Sequence, residues 1–359
     1  MNKEGLLAFF PRITVKRYHQ LISVFSSLDE AWQADANEFK KIKWNEQLIE
    51  EFVNWRKNID ENQTQKILDQ ENIRCITISN KDYPNLLKEI YDPPFALFIK
   101  GELNNDSFNL AVVGTRKFTA YGKQITQDLV KQLASQGITI ISGLALGIDS
   151  IAHESALDVK GKTIAVLGSG IDEHHIYPAI HVNLAKKIIA GGGAIISEYP
   201  PGTEPTKFTF PKRNRIIAGM SLGTLIIEAN EKSGALITTS CALDNNREVF
   251  AVPQNITSPT AIGPNNLLKM GAKLVTDVND ILEALNLQNA RQYVTNKAVI
   301  PDSPTEAKIL ETLTNEPTHV DVIIKNSGLN SQTVNSNLAL MEMKGKIKNL
   351  GGMMYVVAR

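Results

Sequence analysis

The segment Pro205-Thr206-Lys207-Phe208-Thr209-Phe210-Pro211-Lys212-Arg213-Asn214-Arg215 holds four cations and two aromatic rings and no acid. Cations track phosphates, and an aromatic ring offers a face on which any base stacks for ~1–3 kcal/mol, so the combination suits a single nucleic-acid strand. The plain alternative is a solvated surface run. Two facts favour a ligand. The run interrupts a chain otherwise balanced at 38 basic and 38 acidic residues. It also opens a helix continuing through Ile216, Ile217 and Ala218, which would gather its cations at one end of a packed element.

Four turns are built from Gly, Ser and Thr: Gly114-Thr115-Arg116, Ser142-Gly143-Leu144-Ala145, Gly168-Ser169-Gly170 and Ser233-Gly234-Ala235. Glycine lets a phosphate approach backbone N–H groups, and a helix N-terminus adds ~0.3–1 kcal/mol per anion. Any one of them could equally be a tight turn and nothing more. Gly114 is followed by Thr115, Arg116 and Lys117, so the dinucleotide fingerprint is absent, as is a Walker loop; no cofactor is expected. Asp149 and His153 fall four apart on one helical face, readable as an acid/base or metal pair, or as a first-turn carboxylate and a hydrogen-bonded histidine. Glu198 and Glu228, at strand ends, are open to catalysis or to holding basic loops by ion pairs. No catalytic residue and no metal ligand is assigned. Binding without catalysis is the expectation.

These turns need a scaffold. From Asn109 to about Leu287, apolar strands alternate with amphipathic helices: Leu110–Val113, Ile138–Ile141, Thr163–Leu167, Ala194–Ile196, Thr224–Ile227, Glu248–Val252 and Lys273–Val275. Most are apolar on both sides, as in a parallel sheet covered by helices on both faces. The fold class is therefore α/β: a Rossmann-like, doubly wound, mainly parallel sheet over 73–287, with ligands at the strands' carboxyl ends. Before it, residues 1–72 form a small helical module with helices over Val15–Phe25, Leu28–Gln33, Glu38–Ile42 and Glu46–Lys57, and with Thr14 and Asn45 as N-caps. Cys75–Ile78 and Ala96–Ile99 form an extended lead-in. After it, 288–303 is a linker, and 304–359 reads as helix, helix, turn, helix, hairpin, the plan of a winged helix.

At 359 residues, with 43% hydrophobic and 21% charged residues, the chain has the composition of a soluble globular protein of two or three domains. Zero net charge means that an anionic partner must be met by a local patch. Cys75 and Cys241 lie far apart outside any metal-binding spacing, which fits a reducing compartment. Without a secretion signal or a stretch long enough to span a bilayer, a cytoplasmic location and no membrane insertion are expected.

Taken together, Val112-Val113-Gly114-Thr115-Arg116, Ser142-Gly143-Leu144-Ala145, Gly147-Ile148-Asp149 with Ala152-His153, Ser197-Glu198-Tyr199, Phe210-Pro211-Lys212-Arg213-Asn214-Arg215 and Ser233-Gly234-Ala235-Leu236-Ile237-Thr238 resemble the DNA-processing protein A family (DprA/Smf) over roughly residues 75 to 285. The resemblance implies single-stranded DNA binding, loading of the RecA recombinase in natural transformation, and a homodimer through the Rossmann-like domain. It places DNA-contacting residues at Arg116, Lys207 and Phe210. With the turns and the basic run, the expected DNA-binding set is Gly114, Thr115, Arg116, Ser142, Gly143, Gly170, Lys207, Phe210, Lys212, Arg213, Asn214, Arg215, Ser233 and Gly234. Arg116, Lys207, Phe210, Arg213 and Arg215 are expected to share one groove. Leu146, His181 and Gln254 depart from the family's usual arginine, asparagine and glycine. Pro11-Arg12-Ile13-Thr14 replaces the glycine-rich hairpin of similar N-terminal modules.

The third helix of the terminal module carries Gln332, Asn335, Ser336 and Asn337 with no cation before Lys344, unlike a groove-reading helix. A protein contact or a structural role is the reading there. The rival from another class is a nucleoside-monophosphate phosphoribohydrolase. Leu222-Gly223-Thr224-Leu225-Ile226-Ile227-Glu228 keeps fragments of that loop without its paired glycines.

Overall fold

A computed structural model describes residues 2–105, 107–287, 302–313, 318–344, 346–349 and 351–357. They form two compact units, Met1–Gln288 and Asn289–Arg359.

The first unit is organised by a nine-stranded sheet. Its strands are β1 (Arg74–Thr77), β2 (Ala96–Gly101), β3 (Asn109–Val113), β4 (Thr139–Ser142), β5 (Thr163–Leu167), β6 (Ala194–Ser197), β7 (Gly223–Ile226), β8 (Glu248–Ala251) and β9 (Lys273–Leu274). Every residue of β3 to β7 is buried, because helices cover both faces. Strand order is β1-β2-β6-β5-β4-β3-β7-β8-β9, and every pairing from β6 to β9 is parallel. The chain runs outward from β3 to β6, then crosses back to place β7 on the other side of β3. Beside one another, β3 and β7 mark the point where winding reverses. A crevice for a ligand opens there in such sheets.

The lead-in turns out to be part of the sheet: β1 pairs antiparallel with β2, and β2 antiparallel with β6. The helices before it, Lys3–Leu7, Val15–Ile22, Leu28–Gln33, Glu46–Asn58 and Glu61–Gln70, share one hydrophobic cluster with the sheet. Phe9 meets Phe98 of β2 edge-on at 5.2 Å. Thr14 and Asn45 cap as expected, accepting from Arg17 N and Leu48 N. The sequence reading missed Glu61–Gln70, whose mostly polar residues bury only Thr64 and Leu68, and whose start is set by Asp60 accepting from Asn62 N and Gln63 N.

In the second unit, helices Pro304–Thr312, Val320–Ser327 and Ser331–Met343 pack around Ile309, Ile323, Val334, Leu338 and Met341 beside a three-stranded sheet. This is a winged helix. Its strand Thr318–His319, which pairs with Met354–Tyr355, was not foreseen. The linker expected over 288–303 lies, Asp302 and Ser303 apart, outside the described residues.

Candidate nucleic-acid interface

A cleft of about 710 Å³ opens at the carboxyl ends of the strands, over the reversal between β3 and β7. Gly114, Thr115 and Arg116 reach it from the turn after β3, Ala145 and Asp149 from the turn after β4, Lys207 and Phe210 from the segment after β6, and Lys232, Ser233 and Gly234 from the turn after β7. Arg116, Lys207 and Lys232 are exposed, and none is ion-paired among the described residues. Phe208 is 75% exposed, with Lys207 Nζ 5.1 Å from its ring centroid. Phe210 is half-buried: its ring lies over Gly168, where a Cβ would come within 3.1 Å, and tilts against Tyr177 at 5.4 Å.

The floor is a network of buried polar groups. Arg213, only 5% exposed, donates from Nη1 to Gly143 O at 2.7 Å and to Val166 O, and from Nε to Asn214 Oδ1 at 3.2 Å. Asn214 Nδ2 donates to Gly234 O at 3.2 Å, which draws the turn after β7 into the same network. Asp149 accepts from Gly143 N at 3.1 Å. Burial raises its carboxyl above the ordinary value against the pull of Arg213 and lowers the Arg213 guanidinium to about 10. Gly143 is required: a Cβ there would sit 2.6 Å from that guanidinium. So is Gly147, at φ +88°, where a Cβ would stand 2.4 Å from Thr115 O. Arg213, Gly143, Asp149 and Asn214 tie the turns after β4 and β7 and the end of β5 into one network.

Residues 74–286 match the family described as DNA recombination-mediator protein A, and residues 295–353 match the DprA winged helix domain. The chain belongs to the DNA recombination-mediator protein A family. Protein Smf of Escherichia coli is 41% identical over 294 residues, covering 79% of this chain and 78% of that protein. The X-ray structure of DNA processing protein A from Streptococcus pneumoniae superposes with a TM-score of 0.66 at 32% identity, over 79% of this chain and 98% of that one. DNA processing protein A from Helicobacter pylori, whose structure was described for its single-stranded DNA binding mode, does so with a TM-score of 0.53 at 32% identity, over 59% and 96%.

Within this member of the DNA recombination-mediator protein A family, the expected site residues divide into three groups. Gly114, Thr115, Arg116, Lys207, Phe210, Ser233 and Gly234 line the cleft. Arg213 and Asn214 also line it, as its floor, held there by internal hydrogen bonds, and Gly143 lies beneath them as an anchor. The rest lie off the cleft. Arg215 does not join the expected shared groove: it turns to Glu198 at 2.6 Å and Asp92 at 3.3 Å. Lys212 stands 3.5 Å from Glu198 and over the Tyr199 ring. The reason is helical rotation, since Arg213 and Arg215 lie on helix Thr209–Gly219 and diverge by about 200°. Ser142 is buried and donates to Val112 O at 2.6 Å, and Gly170, also buried, donates its N–H to Thr203 O at 2.8 Å.

The remaining candidates are committed internally. Glu198 takes the ion-pair role that its sequence left open. Glu228, fully buried, accepts from Thr119 N at 2.9 Å, Thr119 Oγ1 at 2.6 Å and Thr260 Oγ1 at 3.1 Å, fastening loops by hydrogen bonds instead. Asp149 and His153 act apart: the histidine pairs with Thr163 Oγ1 at 2.7 Å, and burial lowers its pKa to about 3, so it stays neutral. The sequence reading missed Lys232 and Tyr177 in the cleft wall. Lys232 immediately precedes a turn already singled out, and that adjacency was the available signal. Tyr177 has no local signal, since only the packing of Phe210 brings it to the cleft.

Proposed function

We propose that this chain binds single-stranded DNA, without sequence preference, across the cleft over β3 and β7. The observation that carries this reading is the trio of exposed cations Arg116, Lys207 and Lys232, none ion-paired among the described residues, facing one opening with Phe208 and Phe210 beside them. Three cations from three separate turns match the spaced charges of a phosphate backbone, and the rings serve bases of any identity. The Helicobacter pylori relative, described for single-stranded DNA binding, supports the same assignment. Binding proceeds without catalysis in this reading, since Glu198, Glu228, Asp149 and His153 are occupied in holding loops and packing. By kinship, the bound strand is handed to a RecA recombinase during natural transformation in the cytoplasm.

A homodimer is part of the proposal. Late in the α/β domain, Leu267 is buried and Leu268 partly so, whereas Met270 is 77% exposed and Leu274 of the edge strand β9 is 52% exposed. The open pair is the stronger candidate for the contact.

The deciding test is fluorescence anisotropy with single-stranded and duplex oligonucleotides over a salt series. Single strands are expected to bind more tightly, with log affinity falling by about 0.7 per log unit of salt for each phosphate neutralised. Equal affinity for duplex, or no salt dependence, would overturn the reading.

A further inference from the structure

A second cleft, of about 540 Å³, adjoins the first across shared loops. The loop after β3 gives Arg116 to the first cleft and Thr119 and Tyr121 to the second; the loop after β7 gives Lys232 to the first and Glu228 to the second. The third wall is the segment after β8, with Pro253, Gln254, Asn255 and Ser258. The two openings differ in chemistry. The first is ringed by cations. The second is lined by an aromatic ring, amides and hydroxyls, and its one acid, Glu228, is buried beneath three hydrogen bonds. The ridge between them carries Arg116, Lys117 and Phe118, all exposed, with Phe118 at 42% and Tyr121 at 43%. Cations followed by open aromatic rings thus occur twice along this edge of the sheet, at Lys207-Phe208 and again at Arg116-Lys117-Phe118 with Tyr121.

We propose that the second cleft is a base-binding subsite for the same single strand, which leaves the first cleft over the Arg116–Phe118 ridge and stacks a base on Tyr121. This rests on the single-strand reading of the first cleft. Asn255, whose Oδ1 accepts from Thr257 N at 3.1 Å and Thr257 Oγ1 at 3.0 Å, keeps its Nδ2 for the edge of a base, and an open ring matches its face, whereas the lining holds no cation for a phosphate. Phosphate contact on the way is left to Lys117. Tyr121 is held in place by its hydroxyl, which donates to Pro253 O at 3.0 Å and joins the β3 and β8 loops.

The test is a ladder of oligothymidylates of increasing length, titrated into the full chain and into the variants Tyr121→Ala, Tyr121→Phe and Lys117→Ala. Affinity is expected to rise in two stages as the strand first fills one cleft and then reaches the next. Tyr121→Ala should weaken long oligomers about 5- to 150-fold, the span of one base–aromatic stack, and leave the shortest binding oligomers unchanged. Tyr121→Phe keeps the ring but loses its tie to Pro253 O, and should fall between the parent chain and Tyr121→Ala. Lys117→Ala should lower the salt slope for long oligomers alone, by about 0.7. If Tyr121→Ala leaves the long oligomers as tight as the parent, or if Tyr121→Phe loses as much as Tyr121→Ala, the second cleft is not a stacking subsite, while the first-cleft reading stands on the short oligomers. If no oligomer of any length binds, both readings fall together.

Discussion

Arg116 and Lys207 are exposed, and among the described residues no carboxylate holds either, so replacing one with alanine removes the phosphate partner proposed for it without opening a cavity. Each variant should lower the salt slope of single-strand binding by about 0.7 and leave the melting temperature nearly unchanged. Arg213→Ala should do the reverse of a surface change. It strips Gly143 O and Val166 O of their buried donor, a loss on the order of 1–3 kcal/mol for each unsatisfied carbonyl, and withdraws the positive charge that favours the buried Asp149 carboxylate; denaturant unfolding reads the destabilisation. His153 supplies a pH test. Its folded pKa is lowered from 6.5 to about 3, so on acidification the unfolded chain takes up a proton that the folded chain refuses. Its contribution to stability is complete above pH 6.5 and declines as pH falls from 6.5 toward 3. His153→Gln should flatten that part of the stability profile; an unaltered slope would show that another group titrates there.

At the scale of elements, helix Thr209–Gly219 converts a contiguous basic run into divergent duties. Lys207 and Phe210 face the cleft, Arg213 and Asn214 tie its floor, and Arg215 pairs outward with Glu198. The winged helix uses its cations inwardly too. Lys344 and Lys346 both bridge Asp302 and Glu306, joining the end of the third helix and the strand that follows to the start of the first. Hydrogen bonds from these lysines lower the Glu306 carboxyl from 4.5 to about 2. Because a depressed carboxylate stabilises the fold above its unfolded value, this contribution is present above pH 4.5 and is lost as pH falls toward 2. Calorimetry of the full chain should show the winged-helix transition weakening over that range, and Glu306→Gln should lower it at neutral pH while removing most of the dependence.

At the scale of the whole molecule, the proposed strand site lies wholly in the first unit. The third helix of the winged unit exposes Gln332, Asn335 and Ser336, and Lys344 at its end is held by two carboxylates, so that helix has little to offer a phosphate backbone. Removing residues 289–359 is therefore expected to leave single-strand affinity and its salt slope largely intact in anisotropy titrations. Should binding vanish on that truncation yet survive Arg116→Ala and Lys207→Ala, the site lies in the winged helix.

The sequence by itself determined the doubly wound sheet, since strands covered on both faces must be apolar throughout, and that requirement is written in runs such as Leu110–Val113 and Thr163–Leu167. It also determined the caps at Thr14 and Asn45, which depend on contacts three residues away. It marked out the basic aromatic run, because charge and ring are properties of the residue alone. Which cations of that run meet solvent is a different matter. That depends on helix rotation and on whether a neighbouring element offers a carbonyl or a carboxylate: Gly143 O and Val166 O claim Arg213, and Glu198 claims Arg215. The tertiary structure alone also made β1 and β2 an antiparallel edge, because a lead-in becomes a strand only when β6 presents its unpaired backbone. It alone brought Lys232 and Tyr177, distant in the chain from Arg116, to the walls of the same cleft, since proximity across the reversal between β3 and β7 exists only once the sheet has wound in both directions.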